Sequence, residues 1–492
     1  MSVRIVYKDI AVGAEDDAIT SASEHQPFSA PAQLPRGAQG GSIVTLEPNG
    51  WALDGTRRLL TDQRPGFWSV QMSGEDGAFE TPPFISVALG QLYTSVGITI
   101  EFDGTTGDYC SDITLRWYNE GRIVAEQDFK PNRPNYFCYR IVEYYDRVDI
   151  QFNATHVPGR YVKVNHIIFG CVREFHRDEL RSVKIIERVN LISSDVPVNT
   201  MDVTIDSRSD IAFLFQNFQP MFAYDDDTLI GIFYIDGSTR HGPMLYDVSC
   251  QDAIGVLDLE TVPAAIYNGK NAMELAAEIL NGKFELEYDP ELAGETVTGY
   301  IPDGTRRNAL HHIAFALRSV VDTSSVDGVR FFRPPMESPE EIPIDRTYVN
   351  GSVDLGATVT SVRVTSHSYS TSGGDGKNTV TVGGVTYYDT QEVYVIDNQN
   401  ITPSTLPNVV EIKSATLVNP SNVEEITQNA YNYYARRSKH NVKLIMDGER
   451  PGDFLETPTL WDSRVSGNIT SMRITLSGMA AADCEIVGSE II

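Results

Sequence analysis

A chain of 492 residues, 41% of them hydrophobic, can bury sizeable cores in roughly three or four domains. Asp and Glu number 67 against 39 Lys and Arg, a formal net charge of −28. That balance argues against adhesion to nucleic acid or anionic membranes; it suits a soluble protein, or a conduit wall that must not hold a passing polyanion.

No apolar run approaches a membrane span, and the opening MSVRIVYKDI lacks the apolar core of a signal peptide, so folding in a cytoplasm is expected. The first element is a strand over Val3–Tyr7, followed by a polar, acidic stretch. The loop PAQLPRGAQGG, Pro31–Gly41, reads as a junction. From Ser42 to Gly170 apolar and polar residues alternate in Gly97–Phe102, Asp112–Tyr118, Arg122–Phe129, Arg147–Phe152 and Arg160–Gly170. Short turn segments separate them, the rhythm of a sandwich or jelly roll. A second β region spans Val183–Leu257 and includes a hairpin, Gln219–Asp236, with its turn at Asp225–Thr228. The acidic run Asp225-Asp226-Asp227 lacks the spaced oxygen ligands and distant Glu of a calcium loop and reads as a solvated turn.

Between Thr261 and Pro335 helix and strand alternate. A helix over Asn271–Leu280 stops at Asn281-Gly282, a strand follows at Lys283–Tyr288, and a second helix precedes the strand Gly328–Pro334. PPMESPEEIPID, Pro334–Asp345, reads as a linker. Strands return at Thr358–Ser370 and Asn378–Gly384, around a flexible hairpin tip, TSGGDGK. Ser421 and Glu424 have the spacing of a capping box opening a helix over Asn422–Ser438, with Arg436 and Arg437 complementing its end. His440–Met446 and Ile469–Gly478 are further strands.

The stretch TRRNALHHIAFALRSVVDTS holds paired arginines and paired histidines. Leu310, Ile313, Ala314, Leu317 and Val321 form the stripe of an amphipathic helix, with Thr305 as its N-cap and a polar outer face. His311 and His312 are adjacent, so their side chains diverge by about 100° and do not share a metal. A solvated or locally hydrogen-bonded pair is expected, with Arg306 and Arg307 on neighbouring carboxylates. No nucleophile elbow, His-Glu-x-x-His, phosphate loop or dinucleotide fingerprint is present; SGGDGK lacks the spacing of a phosphate loop. No catalytic, metal or cofactor residue is therefore expected. Cys110, Cys138, Cys171, Cys250 and Cys484 include no Cys-x-x-Cys pair and read as buried free thiols, with Cys110 and Cys138 able to meet in one domain. Trp117 lies inside an alternating strand and reads as core. Trp51 and Trp68 sit in loop-like contexts, where core packing and sugar stacking are both open.

The order VKIIERVNLISSDVPVNTMDVTI, QPMFAYDDDTLIGIFYI, YDVSCQDAIGVLD, the two helical segments and GERPGDFLETPTLWDSRVSGNITSMRITLSG resembles the tail hub, or baseplate hub, proteins of bacteriophages and related contractile injection particles. The resemblance covers Met1 to about Ser29 and about Cys171 to Ile492. It implies a mainly β fold: two tail-tube-like β-barrel domains flanking a small α/β domain. Residues 1–41 and 171–260 would form the first barrel, 261–345 the α/β domain and 346–492 the second barrel with one helix. Residues 42–170 depart from the pattern and resemble a galactose-binding-like, jelly-roll β-sandwich inserted in the first barrel. Its candidate glycan contacts, Trp51, Trp68 and Arg160, come from side-chain chemistry alone.

The resemblance also implies a structural role without enzymatic activity, at the distal end of a virion tail assembled in the host cytoplasm. Its partners would be two further copies of the chain in a trimeric ring, the tail tube or distal tail protein, and a tip, spike or tape-measure protein. DNA would pass without specific binding, and the chain would insert in no membrane. The rival expectations are a carbohydrate-binding adhesin recognising a host cell-surface glycan, and a tail-associated cell-wall lysin. The second has little room, because only about 45 residues follow Asp447.

Overall fold

The alternating stretches fold as strands, and the computed structural model is mainly β, with 54% of residues in strands and 12% in helices. The structure describes residues 3–11, 13–38, 47–48, 66–104, 106–207, 215–324, 328–337, 339–348, 351–372, 378–402, 404–459, 463–476 and 480–490. Contacts divide the chain into two compact units, Tyr7–Glu174 and a larger one made of Met1–Val6 and Phe175–Ile492.

The Tyr7–Glu174 unit is the sandwich. Its seven-stranded sheet runs Phe67–Met72, Tyr161–Ile168, Phe84–Phe102, Asn135–Thr155, Cys110–Asn119, Arg122–Phe129, with Ile19–Ala22 also paired to Phe84–Phe102. The two longest strands stay paired through a bend, with Ile85 opposite Ile150 before it and Ile98 opposite Cys138 after it. Register shifts between Ala88 and Gly97 supply the bend, since an unpaired residue curves its strand. The sheet thus closes over one core that includes Phe67, Trp117, Phe152 and Val164. Gly170 could not be another residue: a Cβ there would lie 1.9 Å from the Asp9 carbonyl oxygen.

The sandwich unit differs from the 42–170 stretch read in the sequence by also taking in residues 7–41. Ile19–Ala22 pairs with Ile85–Ala88, and the Ala30 and Ala38 amides donate to the Gly66 and Asn165 carbonyls. Ala14 and Leu34 are buried in the sandwich core. Those contacts are long-range and leave no local pattern. Pro31–Arg36, read as a junction loop, is a 3-10 helix.

In the larger unit the β region over 180–251 and the C-terminal strands belong to one 13-stranded sheet. Its order includes Ser352–Leu355, Ser438–Ile445, Ala481–Gly488, Arg464–Thr475, Leu180–Arg188, Thr200–Asp206, Leu245–Gln251, Thr228–Arg240 and Pro220–Asp225. The joint is the antiparallel pairing of Leu180–Arg188 with Arg464–Thr475, in which Ile185 faces Ile474. The Asp225–Thr228 hairpin turn forms as expected. The Pro-rich segment is more than a linker, because Glu340–Glu341 pairs in parallel with Leu455–Glu456.

Not all of 346–492 enters that sheet. Ser361–Ser370, Thr379–Val382, Val385–Asp397 and Val409–Ile412 form a separate four-stranded sheet. The Val423–Tyr434 helix packs with it through Val423, Ile426 and Ala430 against Val362 and Val364. The expected capping box does not form there. Ser421 Oγ bonds to Asn419, and Asn422 is the N-cap residue without a side-chain cap bond. Arg436 and Arg437 lie beyond the helix end and bond to Asn468 and Thr358 instead of helix carbonyls.

The mixed module packs the helices Ala253–Leu257, Ala272–Leu280 and Arg306–Leu317 with the sheet Glu285–Tyr288, Gly328–Phe332, Val320–Asp322. Asn271 caps the second helix and Asn281-Gly282 ends it with both residues at positive φ. Gly299 permits its strand to approach the 415–418 segment, where a Cβ would lie 2.5 Å from the Thr416 carbonyl oxygen.

Candidate functional site

The joint between Leu180–Arg188 and Arg464–Thr475 makes one continuous sheet surface from two sequence-distant β regions. Period-2 alternation sends Val183, Ile185, Met472, Ile474 and Ile486 inward and leaves the other phase largely polar, interrupted by the half-buried Ile186. Across strands that polar face has a regular register. Lys184 stands opposite Asp202, which stands opposite Ser249. Arg473 stands opposite Asp483, which stands opposite Lys443. Arg188 stands opposite Ser471, which stands opposite Glu485. Acid and base alternate, so the face presents no cationic stripe of the kind that holds phosphates. The chain's acidic surplus is not concentrated here either.

The double-histidine helix forms as expected over Arg306–Leu317, but it lacks the polar outer face. Thr305 caps it, its Oγ1 accepting from the Asn308 amide at 3.2 Å. Arg306 bonds to Glu260, and Arg307 to Asp258 and Asp195. The helix is buried on most sides instead of having a polar outer face, including Ala309, His312, Phe315 and Ala316 besides the apolar stripe. His312 is 5% exposed and lies 3.4 Å from the Thr416 hydroxyl. Burial first, and then the charges of His311 and His367, hold its pKa down to about 4. His311 is half-buried and is also lowered, chiefly by burial. The pair is therefore packed and neutral; of the two expected environments it has the hydrogen-bonded one, His312 with the Thr416 hydroxyl and His311 with the Ser194 backbone, and not the solvated one. Tertiary neighbours such as the 416 segment, distant in sequence, enclose it. Among the described residues no group of three or more His, Cys, Asp and Glu could hold a metal ion.

Of the three candidate glycan contacts, Trp51 lies outside the described residues. Trp68 is 2% exposed, edge-on to Phe28 with ring centroids 5.5 Å apart. Arg160 is also buried; its Nε donates to Asp108 at 3.2 Å and its Nη1 to the Pro48 carbonyl at 2.6 Å. Neither offers a face to a sugar, because each completes the interior of the sandwich. Trp117 is core, and all five cysteines are buried and free, as expected.

Two buried charge clusters had no reading in the sequence. In the sandwich, the Lys163 ammonium bonds to Glu47 at 2.7 Å and Asp108 at 2.9 Å, beneath the Trp68 ring and beside Arg160. Lys163 falls among valines in YVKVNHII, where no local rule distinguishes a buried lysine from an exposed one. In the larger unit, Glu187 follows Val183 and Ile185 in the inward phase of its strand. That phase was a legible signal. Both carboxylate oxygens are buried without a hydrogen-bond partner. Burial, against the nearby Arg450 and assisted by Asp322 and Asp252, pushes its pKa up to about 8. Asp252 is raised to about 6, again chiefly by burial, although Thr323 and the Asn199 and Gly255 amides bond to it.

No protein-family model matches the chain, and no curated protein does. Solved structures do. The chain is similar to the tail protein from Neisseria meningitidis MC58, at 11% identity and a TM-score of 0.47, over 65% of this chain and 94% of that one. It is also similar to the 43 kDa tail protein of prophage MuSo2 from Shewanella oneidensis, at 10% identity and a TM-score of 0.45, over 65% and 96%. A third similarity is to the family 32 CBM of C. perfringens NanJ in complex with galactose, at 13% identity and a TM-score of 0.20, over 34% of this chain and 98% of that one.

Proposed function

We propose that the chain is a structural hub at the distal end of a phage or phage-like tail. It would join the tail tube or distal tail protein to the tip, spike or tape-measure protein. Three copies would close a ring around a channel through which DNA passes without specific binding. The observation that carries this reading is the joint that merges two β regions, separated by the mixed module, into one sheet with a continuous, largely polar face. A wall made of that face would release a polyanion, since Lys184, Arg473 and Lys443 each stand opposite an acid on one side and Arg188 stands opposite a serine. The purified chain would be tested by native mass measurement and negative-stain microscopy, with and without its tube neighbour. A ring of three chains of 54.5 kDa is expected, and a chain that stays monomeric within the complete tail overturns the hub.

A second role, adhesion to a host cell-surface glycan, is favoured by the separate compactness of the sandwich, Tyr7–Glu174. Its ligand contacts would be exposed groups, not Trp68 or Arg160. A glycan array with the full chain tests it, and no binding above background removes it.

A further inference from the structure

The Val423–Tyr434 helix turns a polar face, with Glu424, Gln428 and Asn432 four residues apart, toward a cleft of about 690 Å³. The cleft is also lined by Arg318, Arg333 and Arg436. Two of these arginines have carboxylate partners: Arg318 lies 2.8 Å from Glu425, and Arg333 lies 2.9 Å from Glu295 and 3.4 Å from Glu291. Arg436 has no carboxylate within ion-pair distance among the described residues. Its Nη1 donates to Asn468 Oδ1 at 3.3 Å, its Nη2 lies 3.0 Å from the Met336 sulfur, and its Nε is buried without an acceptor. Asn468 is fully buried and pinned in turn, donating to the Pro335 carbonyl at 2.8 Å and the Gly452 carbonyl at 3.0 Å. The guanidinium is thus held in one orientation at the end of a groove, with its charge uncompensated, in a chain where acids far outnumber bases.

We propose that this cleft is a docking groove for an extended peptide segment of a partner polypeptide, with one carboxylate of that segment seated on Arg436. The side-chain amides of Gln428, Asn429 and Asn432 carry both donors and acceptors, which is what a peptide backbone requires. From Glu424 to Asn432 a helical rise of 1.5 Å per residue gives about 12 Å, the length of about four extended residues, with Arg436 just beyond the helix end. An arginine takes a carboxylate through two parallel N–H bonds, stronger and more directional than neutral contacts. A nucleic acid or polyphosphate fits poorly, because Glu424 and Glu425 line the same groove and would repel successive phosphates. The groove is independent of ring formation, so it stands or falls separately from the hub.

The test uses the full chain and three labelled eight-residue Gly/Ser peptides carrying a single Glu, a single Gln or a single Lys. Binding is read by fluorescence anisotropy, and its place by a photocrosslinker at Asn429. The acidic peptide should bind and crosslink, the other two at least about tenfold more weakly. Arg436→Gln should abolish the preference, and Arg436→Lys should retain part of it. Gln428→Glu, a change at an exposed position, should weaken the acidic peptide several-fold without disturbing the fold, which its unfolding midpoint checks. Equal binding of the three peptides, no binding at all, or indifference to Gln428→Glu and Arg436→Gln overturns the proposal.

Discussion

Two buried charge clusters, one in each unit, are satisfied in opposite ways. In the sandwich, Lys163 and Arg160 meet Glu47 and Asp108 at hydrogen-bond distance. In the larger unit Glu187, Asp252 and Asp322 lie together with Arg450 and Arg330 nearby, and Glu187 has no hydrogen-bond partner among the described residues. Removing an ion from water costs several kcal/mol unless a partner or a proton replaces the lost solvation. The sandwich uses the partner. Glu187 uses the proton, so it is largely neutral below pH 8. The difference teaches that buried acids in one acidic chain respond to different variables: one cluster to the loss of a cation, the other to pH.

The largest break should come from Lys163→Met, which leaves Glu47 and Asp108 buried beside each other with only Arg160 to compensate. Removal of one partner from a buried pair destabilises by about 3–5 kcal/mol, and urea unfolding of the sandwich transition should show it. Glu187→Gln should act in the other direction as pH rises. Its folded pKa lies above the unfolded value, so its stabilising contribution is full below about pH 4.5 and is lost as pH climbs toward about 8. Between pH 5 and pH 7 the wild type should lose about 2 kcal/mol or slightly more relative to the variant. A flat difference between the two proteins across that range would show that a partner, not a proton, satisfies Glu187.

Asp252→Asn sharpens the contrast within one cluster, because Asp252 has the bonds Glu187 lacks. Its oxygens accept from Gly255 and Asn199 amides at 3.0 Å and from the Thr323 hydroxyl at 2.6 Å. An amide nitrogen there must meet a donor, and a loss of about 1–2 kcal/mol is expected, measured by thermal unfolding at pH 8. The smallest effect should come from salt. Raising it from 0.1 to 1 M should change the Lys163→Met difference by less than about 0.5 kcal/mol, because buried pairs are poorly screened. A larger response would mean that water reaches the sandwich cluster.

Much of the secondary structure was legible because its causes are local. Thr305 and Asn271 cap helices, Asn281-Gly282 ends one, and Asp225–Thr228 turns a hairpin, all within a few residues of their own signals. One local signal was outcompeted: Ser421 and Glu424 have the spacing of a capping box, but Asn419 and Asn422 bond to the turn first. The candidate site was less legible. Alternation gave the polar phase of each strand but not the partner, and Lys184 faces Thr475 from a strand almost three hundred residues away. Trp68 and Arg160 have side chains suited to sugar, and only the packing of the sandwich makes them interior.

By itself the sequence determined the mainly β character, the alternation of helix and strand in the mixed module, the buried free thiols and the charge balance, since periodicity, caps and composition act along the chain. The tertiary structure decided which strands merge into one sheet, which residues join the sandwich, and which charges lie in the interior. Register and burial depend on partners brought together from distant segments. The ionisation of Glu187 then follows from those partners and from the water they exclude.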